Sequence, residues 1–364
     1  MGRFTLVLPI AGFILGLTLA TSLGLAADRV SSPGLSLLSC VEAETAPSFR
    51  EERLRIASGE VALAGRLFLP EGPGPHPAVV LLHGGGLQRL NEAPLFYAPL
   101  LARCGVAALV YDKRGTGASG GVWGEAVFDD FVGDAAAAVA ALAGRPDIDA
   151  RRIGLIGFSQ GGRLAPVVAV RHEGVAFVVG VSAPFTSVAE TRLYALEQWF
   201  RRESVSGSDL EAALAFWKKH FTAVADEDTA ALVGLDEEIR EASRRLEVTP
   251  LPPPSTRLPQ TPTYNSLGRD YTAELQALRI PMLAVFGDRD AVVPVERSVE
   301  ALRNVLQKGD HQRLDVKVVP FADHSFTDWT FKERIKIEKT IVAWILERLA
   351  ELPSIATPGT TQER

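Results

Sequence analysis

Cysteine is nearly absent from this chain: its 364 residues hold two, Cys40 and Cys104. Two cysteines cannot build a disulfide scaffold, and these have no C-x-x-C spacing for zinc or thiol redox chemistry. Histidine is scarce as well, at six, with no H-E-x-x-H pair to hold a catalytic zinc. A basic excess is missing too. The net charge of −6 and pI near 5.7 argue against nucleic acid, whose recognition needs a positive footprint. No repeat of solenoid period is visible. Hydrophobic residues make up 47% and charged residues 23%, which excludes disordered, collagen-like and coiled-coil chains. What remains is a chain long enough to bury a large core.

Charge is also lacking at the start, between Arg3 and Asp28. A basic residue, the uncharged run 4–27 and small residues around Gly24, Ala26 and Ala27 predict a secretory signal over 1–27. The run is also just long enough to span a bilayer, so an uncleaved membrane anchor is the rival. A lipobox at Leu37-Leu38-Ser39-Cys40 is disfavoured, because Asp28 and Arg29 separate it from the apolar run. Export implies an oxidising compartment in which Cys40 and Cys104 can pair, the alternative being that Cys104 is a small buried residue at a helix end. The alanine-, glycine- and arginine-rich composition suggests a bacterial source and hence the periplasm, or secretion.

Residues 28–52 lack periodicity and form a leader. From Arg53 to Pro70 apolar residues alternate, as in an antiparallel hairpin. Short Val-, Ile- and Leu-rich runs follow at Ala78–Leu82, Val106–Tyr111, Ile153–Phe158, Phe177–Val181, Met282–Phe286 and Val316–Val319. Without polar alternation, they fit strands buried on both faces. Helical patterns near 94–103, 126–143, 161–171, 294–307 and 331–350 lie between them, so the fold class is α/β, a mostly parallel sheet with helices on both faces. Between Ala183 and Arg279 the rhythm breaks. Residues 187–204 and 208–247 look helical, and a stiff proline-rich stretch, 249–254, comes after them. The expected organisation is one domain over 53–350, a helical cap inserted at about 187–262, and a tail at 351–364. The aromatic residues Trp199, Phe200, Trp217 and Phe221 of the insertion either line an apolar pocket or pack the cap onto the core.

Three segments at strand ends carry chemistry. Gly157-Phe158-Ser159-Gln160-Gly161 is G-x-S-x-G between a strand and a helix, where a sharp turn exposes the serine oxygen and glycines on either side avoid clashes. Gly287-Asp288-Arg289-Asp290 and Asp323-His324-Ser325 follow later strands at the same edge. A serine hydroxyl becomes a nucleophile when a histidine takes its proton and a carboxylate holds that imidazole. His83-Gly84-Gly85-Gly86 also ends a strand, and the backbone N–H groups of Gly85 and Gly86, with that of Gln160, are candidate oxyanion donors, each worth roughly 2.7–4 kcal/mol. His83 supports this loop. His76 and His311 precede their strands and so lie at the wrong edge, while His172 and His220 are expected on the surface. Gly115–Gly120 matches G-x-G-x-x-G, but Asp112, Lys113 and Arg114 separate it from its strand and no suitable acidic residue follows, so no nucleotide site is expected.

Together these segments, from about 53 to 350 and excluding much of 187–262, resemble the α/β-hydrolase superfamily in the order Ser, Asp, His. The resemblance implies Ser159 as nucleophile, Asp290 as acid and His324 as base. Asp288 is the alternative acid, but the family spacing G-x-x-D-x-x-V-P from Gly287 favours Asp290. Asp112–Ser119 is similar to the family's D-x-R-G-x-G-x-S segment, which is structural. Serine at 159 differs from the cysteine of dienelactone hydrolases and the aspartate of haloalkane dehalogenases. The implied activity is carboxylic ester hydrolysis through an acyl-enzyme on a small-molecule substrate, with no metal or organic cofactor. The rivals are a prolyl-oligopeptidase-like serine peptidase, which usually carries a large N-terminal propeller, and a hydrolase fold kept as a non-catalytic binding protein.

Overall fold

Alternation of Leu54 and Ile56 against charged neighbours makes Phe49–Ser58 (β1) a strand with one wet face, paired antiparallel to Val61–Pro70 (β2). Gly59, at φ +57°, supplies the positive torsion that the two-residue turn between them needs. This computed structural model describes residues 40, 48–86, 94–242, 251–253, 255–309, 311, 313–326 and 331–353. The signal, anchor and lipobox readings of the N-terminal segment, and nearly all of the tail, lie outside the described residues.

Six further strands follow: His76–Leu82 (β3), Ala107–Tyr111 (β4), Ile148–Phe158 (β5), Val175–Val181 (β6), Met282–Gly287 (β7) and Leu314–Val319 (β8). The sheet order is β1-β2-β4-β3-β5-β6-β7-β8, antiparallel at β1/β2 and β2/β4 and parallel elsewhere. Each of the six apolar runs is a parallel strand. Strand β5 starts at Ile148, earlier than its apolar run, because Ile148 pairs with His76 ahead of a register shift.

Nine α-helices are described: Pro94–Arg103 (α1), Phe128–Ala143 (α2), Gln160–Arg171 (α3), Val188–Arg202 (α4), Gly207–Ala225 (α5), Thr229–Ala242 (α6), Thr272–Ala277 (α7), Val295–Lys308 (α8) and Phe331–Glu351 (α9). Alternate residues of the central strands point to opposite faces. Val80 and Leu82 pack with Phe131, Leu164 and Leu302 of α2, α3 and α8, while Val79 and Leu81 pack with Leu101 and Ile341 of α1 and α9. This is the mostly parallel sheet with helices on both faces expected from the strand–helix rhythm, in the arrangement that the resemblance to α/β hydrolases implies. The single helix anticipated over 208–247 is two, broken at Asp226–Asp228, where Glu227 turns to φ +54°. No helix among the described residues is long and apolar enough to cross a membrane.

Cys40 and Cys104 form a disulfide, with Cα atoms 5.1 Å apart. It ties residue 40 to the end of α1 and closes a loop with a sequence separation of 64. Chain-entropy arguments assign such a loop about 4 kcal/mol. A Cys40→Ser/Cys104→Ser protein should therefore lose roughly that much unfolding free energy in a urea titration, and reductant should shift only the unaltered chain.

Candidate active site

One residue, Ser159, separates β5 from α3, at φ +49° and ψ −113°. Such backbone is strained by about 1–3 kcal/mol at a residue with a Cβ. Hydrogen bonds hold it there: Ser159 N–H donates to the Val181 carbonyl of β6 at 2.8 Å, and Gly162 N–H folds back onto the Ser159 carbonyl at 3.0 Å. The flanking glycines answer to contact. A Cβ on Gly157 would lie 2.1 Å from the Gly161 carbonyl oxygen, and one on Gly161 2.4 Å from that of Leu82.

Loops after β7 and β8 converge on this serine. His324 Nε2 lies 3.1 Å from Ser159 Oγ, and its Nδ1 lies 2.7 Å from Asp290 Oδ2. Asp290 is buried, and its Oδ1 accepts the N–H groups of Val292 and Val293, both at 2.8 Å. An ionised carboxylate only accepts, so the hydrogen-bond network assigns the Nδ1 proton to the Asp290 side and leaves the Nε2 lone pair facing the serine. Ser182 Oγ donates to the His324 carbonyl at 2.8 Å, and Tyr194 of α4 donates to the Asp290 carbonyl at 3.0 Å. The carboxylate that meets His324 is thus that of Asp290. Asp288 lines a surface groove with Val295 and Arg303 of α8.

The glycine-rich loop sits against the same serine. Gly84, Gly85, Ser159, Gln160 and His324 share one cavity of about 330 Å³. Gly86, at φ +86°, is not among its lining residues. Beneath the loop, Lys113 Nζ donates to the Gly84 carbonyl at 2.9 Å, the Gly86 carbonyl at 3.3 Å and Gln160 Oε1 at 2.9 Å. It also lies 4.5 Å from the Phe131 ring centroid. One buried amino group therefore joins the two segments that carry the nominated oxyanion donors. His83 Nε2 pairs with the Tyr111 carbonyl at 2.6 Å, and burial lowers its pKa to about 4, so it is a neutral strut at physiological pH.

Burial likewise lowers the Lys113 pKa from 10.5 to about 7. Between those values the unfolded chain binds a proton that the folded chain does not. Stability therefore rises as pH rises through this window, by of order 4–5 kcal/mol for this group alone. In Lys113→Met the rise should flatten, as urea unfolding at pH 7 and pH 9.5 will measure.

The remaining cavity wall is built largely by α4, whose Val188, Thr191, Arg192 and Ala195 share one helical face. Trp199, Phe200, Trp217 and Phe221 do not line it; with Leu210 and Leu267 they form a separate apolar cluster within the insertion. The pocket alternative for these rings is thereby corrected. They lie on helix faces that pack against other inserted elements. His220 is corrected too: it is buried among Trp217, Phe221 and Tyr264 and not on the surface. His172 is exposed, and His311 bonds the Ile280 carbonyl ahead of β7, away from the site. Gly115–Gly120 is a tight turn wrapped around Asp112, which accepts the Ala118 N–H at 2.8 Å. Arg114 pairs with Asp130 and Asp134 of α2. Sequence reasoning missed Lys113, Arg163, Ser182 and Tyr194 as members of the site. A lysine two residues after a buried strand was the one available signal.

The comparisons agree with this architecture. Residues 73–327 match the family model of serine aminopeptidase S33. The esterase EstD of Thermotoga maritima is 27% identical over 286 residues, covering 76% of this chain. The chain spans only 59% of that relative's length. Among solved structures, a Pyrococcus furiosus esterase superposes with a TM-score of 0.55 at 21% identity, covering 83% of this chain and 91% of its own. Est1E of Butyrivibrio proteoclasticus, with ferulic acid bound, gives 0.54 at 17% identity, covering 82% and 99%. Identities this low speak for the fold alone. With the family model matched across the glycine-rich loop, the elbow serine and both partner loops, the chain belongs to the serine aminopeptidase S33 family of α/β hydrolases.

Proposed function

We propose that this chain hydrolyses carboxylic esters through an acyl-enzyme on Ser159. The observation that carries the reading is the unbroken relay Ser159 Oγ, His324 and Asp290, with gaps of 3.1 and 2.7 Å. His324 Nε2 takes the hydroxyl proton as Oγ attacks the ester carbonyl. The N–H groups of Gln160, at the α3 N-terminus, and of Gly85 receive the oxyanion. The imidazolium, stabilised by Asp290, then gives its proton to the departing alkoxide. Water activated by His324 releases the acid in a second round of the same steps. The helices at 188–242 act as a cap whose first helix walls the substrate cavity.

Export belongs to the same reading. The uncharged run 4–27 serves as signal or anchor, and the Cys40–Cys104 disulfide suits an oxidising compartment such as the periplasm. The test is a fluorophosphonate probe followed by a panel of short esters and aminoacyl arylamides. Labelling of Ser159 with ester hydrolysis in excess supports the proposal. Excess arylamide cleavage would move it to a peptidase, and absence of labelling would leave a binding protein.

A further inference from the structure

Arg163 lies one helical turn beyond Ser159 on α3 and is only 8% exposed. Its Nε donates to the Pro184 carbonyl at 2.9 Å, and its Nη2 to the Thr186 carbonyl at 2.8 Å and the Thr191 hydroxyl at 3.2 Å. All three acceptors are neutral, and among the described residues no carboxylate pairs with this guanidinium. Burial lowers its pKa, but only to about 10, so it stays cationic at neutral pH. A guanidinium carries five N–H donors in a planar fork. Nε and Nη2 account for three, and Nη1 has no acceptor among the described residues. Nor is Nη1 one of the sealed, unpartnered buried atoms.

The surroundings of this free edge are not neutral. Arg163 lines the cavity that holds Ser159 and His324, Arg192 lines it too, and no Asp or Glu does. This concentration of positive charge stands in a protein of net charge −6. Arg163 also lines a second cavity, of about 400 Å³, which includes Asp270, but that carboxylate accepts the Thr272 N–H and hydroxyl locally. A buried cation without a counter-charge is costly, and one that served only to strap α3 to residues 184–191 would need no open edge. An anionic group arriving in the cavity offsets that cost with short, charge-assisted hydrogen bonds.

We propose that Arg163 receives a carboxylate of the substrate, so that the ester cleaved at Ser159 carries a second, ionised carboxyl group, as in a hemiester of a short dicarboxylic acid or an acylated hydroxy acid. The Nη1 edge of Arg163 takes that carboxylate, with Arg192 flanking it. The assignment rests on the reading of Ser159 as nucleophile and adds to it the class of ester.

Two matched pairs of substrates separate the possible positions of the charge. Monomethyl glutarate against methyl valerate places it on the acyl side, and acetoxyacetate against ethyl acetate on the alcohol side. The unaltered protein should favour the charged member of one pair by about tenfold or more in kcat/KM, the scale of one charge-assisted hydrogen bond. In Arg163→Met that ratio should fall towards one, whatever happens to the absolute rates. A purely structural role lowers both rates together and leaves the ratio where it was, which overturns the proposal. So does a lack of preference in the unaltered protein. Binding supplies a readout independent of turnover. On the Ser159→Ala protein, glutarate should raise Tm and glutaramide should not, and the added Arg163→Met change should remove the shift. If glutarate raises Tm but no ester is cleaved, the nucleophile reading fails and the anion site stands. If glutarate has no effect and neither charged ester is preferred while neutral esters are cleaved, the anion site fails and the nucleophile reading stands.

Discussion

Ser159→Ala should reduce ester turnover by about 10⁵–10⁶-fold in kcat while leaving the protein folded. The size follows from how the site is arranged. His324 Nε2 has no other acid-base partner than Ser159 Oγ within the relay, so without the hydroxyl neither the proton transfer nor the acyl intermediate exists. What survives is binding and the proposed oxyanion donors of Gln160 and Gly85, together worth about 10³–10⁴ over water in well-studied serine hydrolases. The backbone at 159 provides a control that separates loss of chemistry from loss of fold. At φ +49° alanine bears the same torsional strain as serine, whereas glycine does not. Ser159→Gly should therefore be as inactive as Ser159→Ala yet unfold at higher denaturant, by about 1 kcal/mol. A Ser159→Ala protein that retains more than about a hundredth of the rate would show that another nucleophile does the work.

What could be read from the chain, and what could not, divides along a physical line. Ala78–Leu82 and Ile153–Phe158 announce themselves because a strand buried on both faces must be apolar throughout, whatever packs on it. The elbow is legible for a related reason. Gly157 and Gly161 stand where any side chain would meet a backbone carbonyl, so local geometry dictates composition. His324 and the Asp288–Asp290 loop are legible as segments just beyond strand ends, where parallel sheets place their sites, while the choice of Asp290 over Asp288 comes from the family spacing. Lys113, Arg163 and His220 are not. Each is a polar residue whose burial depends on partners far along the chain: Gly84 and Gln160 for Lys113, Pro184 and Thr186 for Arg163, and Tyr264 for His220. No periodicity records such partners. The same holds for Trp199 and Phe221. Their helical spacing shows that they are buried but not whether a cavity or another helix covers them, and the answer is another helix.

Asp290→Asn should cost about 10⁴-fold in kcat with little change in stability, and the hydrogen bonds around the carboxylate say why. Oδ1 accepts two backbone N–H groups, from Val292 and Val293, while Oδ2 faces His324 Nδ1. An asparagine amide has one acceptor and one donor end. Turning its NH₂ towards Val292 and Val293 would set donor against donor twice, so the carbonyl oxygen stays there and the NH₂ faces the imidazole. His324 must then offer Nδ1 as an acceptor, which moves its single neutral-ring proton to Nε2, opposite Ser159 Oγ. The imidazole is held in place as before but can no longer take the serine proton. The volume, burial and backbone contacts of residue 290 are kept, so urea unfolding should change by less than about 1 kcal/mol. Asp288→Asn is the companion measurement. That carboxylate lies by α8 and away from His324, so its removal should leave turnover within about twofold of the unaltered protein. A large loss at Asp288 with full activity in Asp290→Asn would transfer the acid's role to the other side of Arg289 and undo the relay as drawn.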